Sequence, residues 1–406
     1  MRDARASTSL LRARGAVLAG VVSVVTLAGF MAPAAAAASG GGGSHGASAR
    51  GQAIEVAQKE YESAREQAIE AAQKEYAKYH RVQAPIAIPV LPSPPATGKN
   101  LLITTCAVTV CKVVSDAAAV AANKLGWNVN TVVLPLGAGQ AQGLTDMWNH
   151  VIANPPDLMA YEGTLPDSQV QPLIDQAAAK GVKIVDLAPK GTIISPTGPI
   201  YAEVNSPDVL ALSGQLMGDS IVQDARCHRD HVVWITDPTR AFFIPAQTAL
   251  TKVVTSAGGT VDTLGISLSD VGIGVPGKIV AYILAHPHVK YLAFALNDMT
   301  AGVPAALKAA GLANRVKIIS RAPSASAISD IKSGAQWKSV TEEVASAGWR
   351  SIDQLARLVE GVPMTADISN PVGWHMIIDK SNVGTKPTGP SVPGFPSSFL
   401  TAWHIK

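Results

Sequence analysis

The sequence predicts an α/β protein with two parallel sheets, set behind an export signal and a long helix. Three observations predict it. From Lys99 onward, short apolar runs alternate with amphipathic stretches, the pattern of successive βαβ units. The composition is 47% hydrophobic but only 5% aromatic, which favours aliphatic α/β layers over an all-β sandwich. The 406 residues, less an N-terminal signal, leave room for two domains at about 100–200 residues each.

Arg2, Arg5, Arg12 and Arg14 precede an apolar run over residues 16–30, and the Ala-rich stretch that follows offers several small-x-small cleavage sites. Basic, apolar, small is the order of a secretory signal peptide, here residues 1–38. The run reaches the ~20 residues of a membrane span only by including the alanines. A retained anchor, tethering the protein to the membrane through its N-terminus, is the alternative. Phe30 follows Leu27-Ala28-Gly29 where a lipoprotein would carry its cysteine. The expected location is therefore extracellular or at the cell surface, without the usual lipid anchor.

Residues 39–51 are rich in Gly and Ser and read as a flexible linker. Within 52–82, Ala53–Tyr61 is repeated as Ala68–Tyr76, an offset of 15 residues that keeps one helix face in register. Ile54, Ala57, Tyr61, Ala64, Ala68, Ala72, Tyr76 and Tyr79 line that face. Alanine stripes bury little area, so the helix reads as a solvated spacer, with a stalk or dimer seam as the alternative; the protein is expected to be a monomer. Pro85, Pro89, Pro92, Pro94 and Pro95 then make 83–98 a stiff extended linker.

Strands are expected at 101–106, 129–134, 157–161, 183–187, 231–236, 260–264, 291–295 and 316–320. Helices are expected at 113–125, 140–152, 168–180, 209–223, 245–257, 278–285 and 304–310, several stopped by Gly or Asn. Strands separated by helices imply right-handed crossovers in parallel sheets. Ligands of such sheets sit at the carboxyl ends of the strands, so the residues just after each strand are the ones to question.

Charge is nearly balanced, 33 Lys and Arg against 30 Asp and Glu, which leaves no nucleic-acid footprint. Of three cysteines, Cys106 and Cys111 are close enough to bridge, with two buried thiols as the alternative; Cys227 makes the count odd. Gly272, Gly274 and Gly277 spell a dinucleotide fingerprint, but Pro276 interrupts it and no opening strand precedes it, so it reads as a loop. Cys227, His228, Asp230 and His231 are metal-ligand types too closely spaced to converge on one ion. His286 and His288 read as a turn, Trp349 as core, and Trp374 and His375 as packing near a hinge. No catalytic motif, metal site or cofactor site stands out, and the chain is not read as an enzyme.

Three stretches carry a resemblance. Thr105–Trp127 resembles the first strand and helix of type I periplasmic sugar-binding proteins, the ribose-binding group. Asp175–Val185 resembles a later helix–strand segment, and Ala285–Gly302, with Asn297-Asp298, matches a longer run. Ile331–Gly334 and Leu358–Gly361 match the closing pattern, so the likeness spans about residues 99–383. The resemblance implies two Rossmann-like lobes joined by a hinge and closing on a small-molecule solute. Lobe 1 would hold 99–204 and 343–371, lobe 2 205–342 and 372–385, with 386–406 as a tail. It implies delivery of the solute to the permease and ATPase of an ABC importer. A sensory receptor for a membrane kinase or chemoreceptor is an alternative, and an exported α/β enzyme a further one. Repressors of this fold are excluded, since no DNA-binding helix pair precedes Lys99.

By the same resemblance Asn297 and Asp298 would meet ligand hydroxyls, and Glu342 stands where the family has a glutamine near the hinge. The departures point elsewhere. Val110 and Cys111 replace the aromatic pair that stacks on a sugar, and Ala188-Pro189 replaces an Asp-Arg pair. The family's pocket arginine aligns near Ile244, with Arg240, Phe242 and Phe243 beside it. These changes imply a less hydroxylated, partly hydrophobic ligand, anionic if Arg240 and Arg321 both face the cleft.

Overall fold

A computed structural model describes residues 45–406 except 164, 189–193, 227–228, 343 and 388, and side chains from residue 52 onward. The signal peptide expected at 1–38 and the Ala188-Pro189 and Cys227-His228 readings fall wholly or partly outside these residues. The chain separates into a unit ending at Val56 and a body from Ala57 to Lys406. Among the described residues no helix is long and apolar enough to cross a membrane.

The first element is α1 (His45–Tyr79), which begins inside the stretch expected as linker. Lobe 1 then builds β1 (Asn100–Cys106), α2 (Thr109–Lys124), β2 (Asn128–Leu134), α3 (Gln140–Ala153), β3 (Leu158–Tyr161), α4 (Gln171–Ala179), β4 (Lys183–Asp186) and β5 (Ile200–Glu203). The chain crosses to lobe 2 for α5 (Pro207–Ala225), β6 (His231–Thr236), α6 (Ile244–Ser256), β7 (Thr260–Gly265), α7 (Val275–Ala285) and β8 (Val289–Phe294). Lobe 2 continues through α8 (Val303–Ala309), β9 (Lys317–Arg321), α9 (Ala325–Ser333) and β10 (Lys338–Glu342). It returns to lobe 1 for α10 (Val344–Val359) and the short α11 (Ala366–Ser369). It then crosses again for β11 (His375–Asp379) and ends in α12 (Ser397–Ala402).

Lobe 1 is a five-stranded sheet of order β2-β1-β3-β4-β5; lobe 2 is six-stranded, β11-β10-β9-β8-β6-β7. All pairs are parallel except β10 with β11. Parallel strands are covered by helices on both faces and so read as apolar runs; Leu158–Tyr161 is buried at every position. β5, β10 and β11 were not among the expected strands. Lys338–Glu342 is buried throughout although four of its five side chains are polar or charged, because its lobe supplies their partners.

Each lobe holds one helix pair too close for any side chain but hydrogen. A Cβ on Gly214 of α5 would lie 2.0 Å from the Ala246 carbonyl oxygen, and one on Gly348 of α10 2.3 Å from that of Val114 in α2. These contacts bind each crossing helix to the lobe that it enters.

The stalk and linker readings need correction. From about residue 65 on, α1 lies on lobe 2. Ala72 is buried against Val222 and Ala257, Arg65 Nε donates to the Ala257 carbonyl at 2.9 Å, and Lys338 Nζ donates to the Tyr76 hydroxyl. The second half of the stripe, Ala68, Ala72 and Tyr76, thus seats on lobe 2, where small side chains allow close helix approach, while Ile54, Ala57, Tyr61 and Ala64 stay exposed. The proline segment packs on lobe 1: Leu91 is buried and its N–H donates to Ala402 O at 2.9 Å, and Trp127 Nε1 donates to Ala96 O at 2.8 Å. The tail folds back as well. Trp403 stacks on Trp349 with centroids 5.5 Å apart and donates to Asp353 Oδ1 at 2.9 Å.

Asp219 of α5 is 2% exposed, and its Oδ2 has no hydrogen-bond partner among the described residues. Burial pushes its carboxyl up to about 8; Gln215 opposes the shift and the charge of Glu75 on α1 adds to it. Between the ordinary value of 3.8 and about 8 the folded protein keeps a proton that the unfolded chain releases. Stability therefore falls as pH rises through that window. Asp219→Asn is expected to remove the slope and to raise stability at pH 8 more than at pH 5, by up to a few kcal/mol at about 1.4 per pH unit. Urea unfolding of both proteins at the two pH values checks this.

Candidate functional site

The carboxyl ends of the two sheets face one cavity of ≈ 100 Å³. Nearly every residue lining it follows a strand or ends one. Lobe 1 contributes Cys106, Val108, Val110, Cys111 and Val114 after β1, Leu136 after β2, and Glu162, Gly163, Leu165 and Pro166 after β3. It adds Leu187 and Ala188 after β4 and Asn205 after β5. Lobe 2 contributes Leu210 of α5, Thr239, Arg240, Ala241 and Phe242 after β6, Leu268 after β7, Leu296 after β8, and Arg321 at the end of β9. β1 and β6 each lie where strand order reverses, the position at which open parallel sheets bind ligands.

Local hydrogen bonds hold the two rims. On lobe 1, Thr104 Oγ1 donates to Glu162 O at 3.0 Å and accepts from Glu162 N at 2.6 Å, tying the β3 exit to β1. Cys106 and Cys111 form a disulfide with Cα atoms 5.5 Å apart, pinning the first turn of α2 to the end of β1. Glu162 Oε1 lies 2.8 Å from Cys111 Sγ. A disulfide sulfur carries no proton, so this is a close contact and not a hydrogen bond. The three ligand atoms lie within 4.8 Å of one another, as a metal site requires, but in the disulfide form neither sulfur is a thiolate.

On lobe 2, Asp237 orders the turn after β6. Its Oδ1 accepts from the Thr239 N–H and hydroxyl at 3.0 and 2.7 Å, and its Oδ2 from Leu268 N at 2.8 Å. That turn carries Arg240, whose Nη2 donates across the cleft to Gln140 Oε1 at 3.4 Å. Burial lowers the Arg240 pKa, while Asp237 and, from the other lobe, Glu162 raise it.

Of the predicted site residues, Val110, Arg240, Phe242 and Arg321 line the cavity; Asn297, Asp298 and Glu342 do not. Asn297 is 2% exposed and consumed within lobe 2, accepting from Ser320 Oγ at 2.7 Å and donating to Ser324 Oγ at 3.3 Å. Asp298 reaches lobe 1 instead. Burial raises its pKa, and the nearby donor groups of Thr109 and Val110, at the start of α2, act against the shift.

Glu342 holds Arg321. The guanidinium donates from Nε and Nη2 to Glu342 Oε1 and Oε2 at 2.6 and 2.7 Å, and from Nη1 to Ala295 O at 3.3 Å. Ser213 Oγ donates to the same carboxylate at 2.6 Å. Burial alone would raise the Glu342 pKa; Arg321, His375 and Ser213 together hold it below the ordinary carboxylate range. Both arginines thus face the cleft, but the charge of Arg321 is already matched. The wall gains an acid that the sequence reading passed over, Glu162, although it stands directly after β3 where strand-end reasoning looks. The surface cluster at His231 is occupied otherwise: its Nε2 pairs with Asp262 Oδ2 and its Nδ1 with Thr260 Oγ1, both at 2.8 Å.

No family model matches the sequence, and no curated protein matches it. Solved structures do. A glucose-galactose binding protein from Geobacillus stearothermophilus superposes with a TM-score of 0.60 at 17% identity, over 71% of this chain and 100% of that one. The substrate-binding protein of a sugar ABC transport system from Bordetella parapertussis gives 0.62 at 18%, over 74% and 94%. An ABC transporter solute-binding protein from Burkholderia graminis, in complex with D-arabinose, gives 0.61 at 15%, over 73% and 99%. The two-lobed body described above has the type I periplasmic-binding-protein fold, in a divergent sequence.

Proposed function

We propose that this protein is an exported solute receptor that closes its two lobes around a small, partly apolar molecule without chemically altering it. The observation that carries the reading is the cavity itself: an apolar chamber assembled from the strand-end loops of both lobes. Solved proteins of this fold include solute-binding components of ABC transport systems, so delivery to a membrane permease and its ATPase is the role proposed here. The signal-like N-terminus supports a place in the cell envelope.

The pocket chemistry supports a ligand poorer in hydroxyls than a sugar. Val110 and the Cys106–Cys111 disulfide occupy wall where an aromatic pair would stack on a sugar ring. Hydroxyls buried against Leu136, Leu165, Leu268 and Leu296 would find few partners, at a cost of about 1–3 kcal/mol each. Asp298 and Glu342 act one step back from the ligand: Asp298 of lobe 2 lies close to the start of α2 in lobe 1 and favours the closed form, and Glu342 sets the Arg321 guanidinium in the cavity wall.

A thermal-shift screen of the full chain against sugars, aromatic acids and amino acids tests the reading. A bound solute at 100 times its dissociation constant adds about 2.7 kcal/mol. Stabilisation by no small molecule would overturn the receptor reading, and stabilisation by pentoses or hexoses alone would overturn its apolar part. Asp298→Asn is expected to weaken binding of any ligand so found about tenfold, or 1.4 kcal/mol, by weakening the closed form; calorimetry showing unchanged affinity would refute this. Glu342→Gln leaves the buried Arg321 without its countercharge and is expected to cost about 3–5 kcal/mol of stability in urea unfolding. The wild-type contribution is present above the usual glutamate value of 4.5 and is lost as pH falls toward the depressed one.

A further inference from the structure

We infer that the two terminal segments, residues 80–91 and 385–404, form a brace across the hinge that holds the ligand-free lobes near the closed arrangement. The inference rests on the two-lobed architecture and not on what the cavity binds. Both segments lie outside the residues 99–383 that carry the sequence likeness, and each runs from lobe 2 to lobe 1. The first starts where the His80 ring meets Asp379 Oδ2 at 2.8 Å and Asn382 Nδ2 donates to the His80 carbonyl at 3.3 Å. It ends on lobe 1, where Arg357 Nη2 donates to Pro89 O and Leu91 is buried. Pro85 and Pro89 stiffen the stretch between.

The second segment also starts on lobe 2. Lys332 Nζ of α9 donates to the carbonyls of Thr385 and Lys386, both at 2.9 Å, and Val392 is buried in the cluster that holds β11 on α9. It ends in the core of lobe 1 with Phe399 and Trp403. The two segments are joined where they arrive: Leu91 N–H donates to Ala402 O at 2.9 Å, and His404 Nε2 meets Leu91 O at 2.6 Å. Midway, Ile86 and Phe395 each pack against the cores of both lobes, in a cluster with Trp374 at the end of the third crossing. A rotation of one lobe on the other shifts these side chains against one core or the other, and the apolar burial lost opposes it. The lips of the cleft meet in this arrangement. A Cβ on Gly137, after β2, would lie 4.0 Å from the Cβ of Ser269, after β7.

The test is double electron–electron resonance on the full chain without ligand, spin-labelled through Ala138→Cys and Ile273→Cys, exposed positions on the two lips. Cys227→Ser removes the remaining thiol, and the Cys106–Cys111 disulfide is kept. A single short, narrow distance is expected. Inserting two glycines between Gln83 and Ala84, which lengthens the first segment and spares its anchors, should shift the distribution to longer and broader distances. Ile86→Ser combined with Phe395→Ser should do the same by removing the shared apolar contacts. The same insertion between Ala313 and Asn314, an exposed turn of lobe 2, should leave the distance unchanged, and a cooperative thermal transition confirms that each variant is folded. A long, broad distribution with the brace unaltered, or one that neither brace variant moves, would overturn the brace. So would an equal shift from the control insertion. The receptor reading stands apart from these outcomes and is decided by the thermal-shift screen.

Discussion

The structure of lobe 2 turns on the buried pair of Arg321 and Glu342. The two residues end neighbouring strands, β9 and β10, and close a bidentate contact inside the lobe. Ser213 of α5 completes the carboxylate's hydrogen bonds, and His375 of β11, the register partner of Glu342, meets Ser213 Oγ at 3.1 Å. A pair of this kind adds little net stability over apolar side chains, because both charges were stripped of water. Its effect is on specificity of arrangement. A register slip of β10 against β9 would strand a charge in the core, so strand pairing, the seat of α5 and the position of the guanidinium in the cavity wall are fixed together.

The remaining order of the site follows from what crosses the cleft. Asp298 of lobe 2 lies close to the start of α2, and Arg240 reaches Gln140 at the start of α3. A third tie runs through the segment after α1. The helix is held on lobe 2 by Tyr76 and by His80, whose ring meets Asp379 at 2.8 Å. Leu91 is then buried in lobe 1, and Ile86 between them packs against the cores of both lobes. A rigid-body opening must therefore be taken up by this strap as well as by the three crossings between the sheets.

Much of this was legible in the sequence, and the reasons for what was not are physical. Strands built on apolar runs, such as Leu101–Ile103 and Val232–Ile235, announce themselves because both faces are covered. β10 does not, since Lys338, Ser339 and Glu342 look solvated until their partners are seen: Ser320 and Arg321 on β9, Tyr76 on α1 and Asp379 on β11. Arg321 and Glu342 were each singled out, yet nothing in their separation says that they face each other. The stripe of α1 is solvated over Ile54–Ala64, as read, but its second half is not, because alanine content measures buried area but not closeness of approach. Glu162 was within reach of the strand-end rule and was missed because a single acid in a Tyr-Glu-Gly context has no motif around it.

On the proposed reading, the largely apolar wall of the cavity penalises each ligand hydroxyl or charge that is buried in it without a partner. That penalty grows as the lobes close and water is expelled, since the effective dielectric falls with it. Selectivity and closure would then be one event, with Asp298 and the strap setting how much of the closing is done before the ligand arrives.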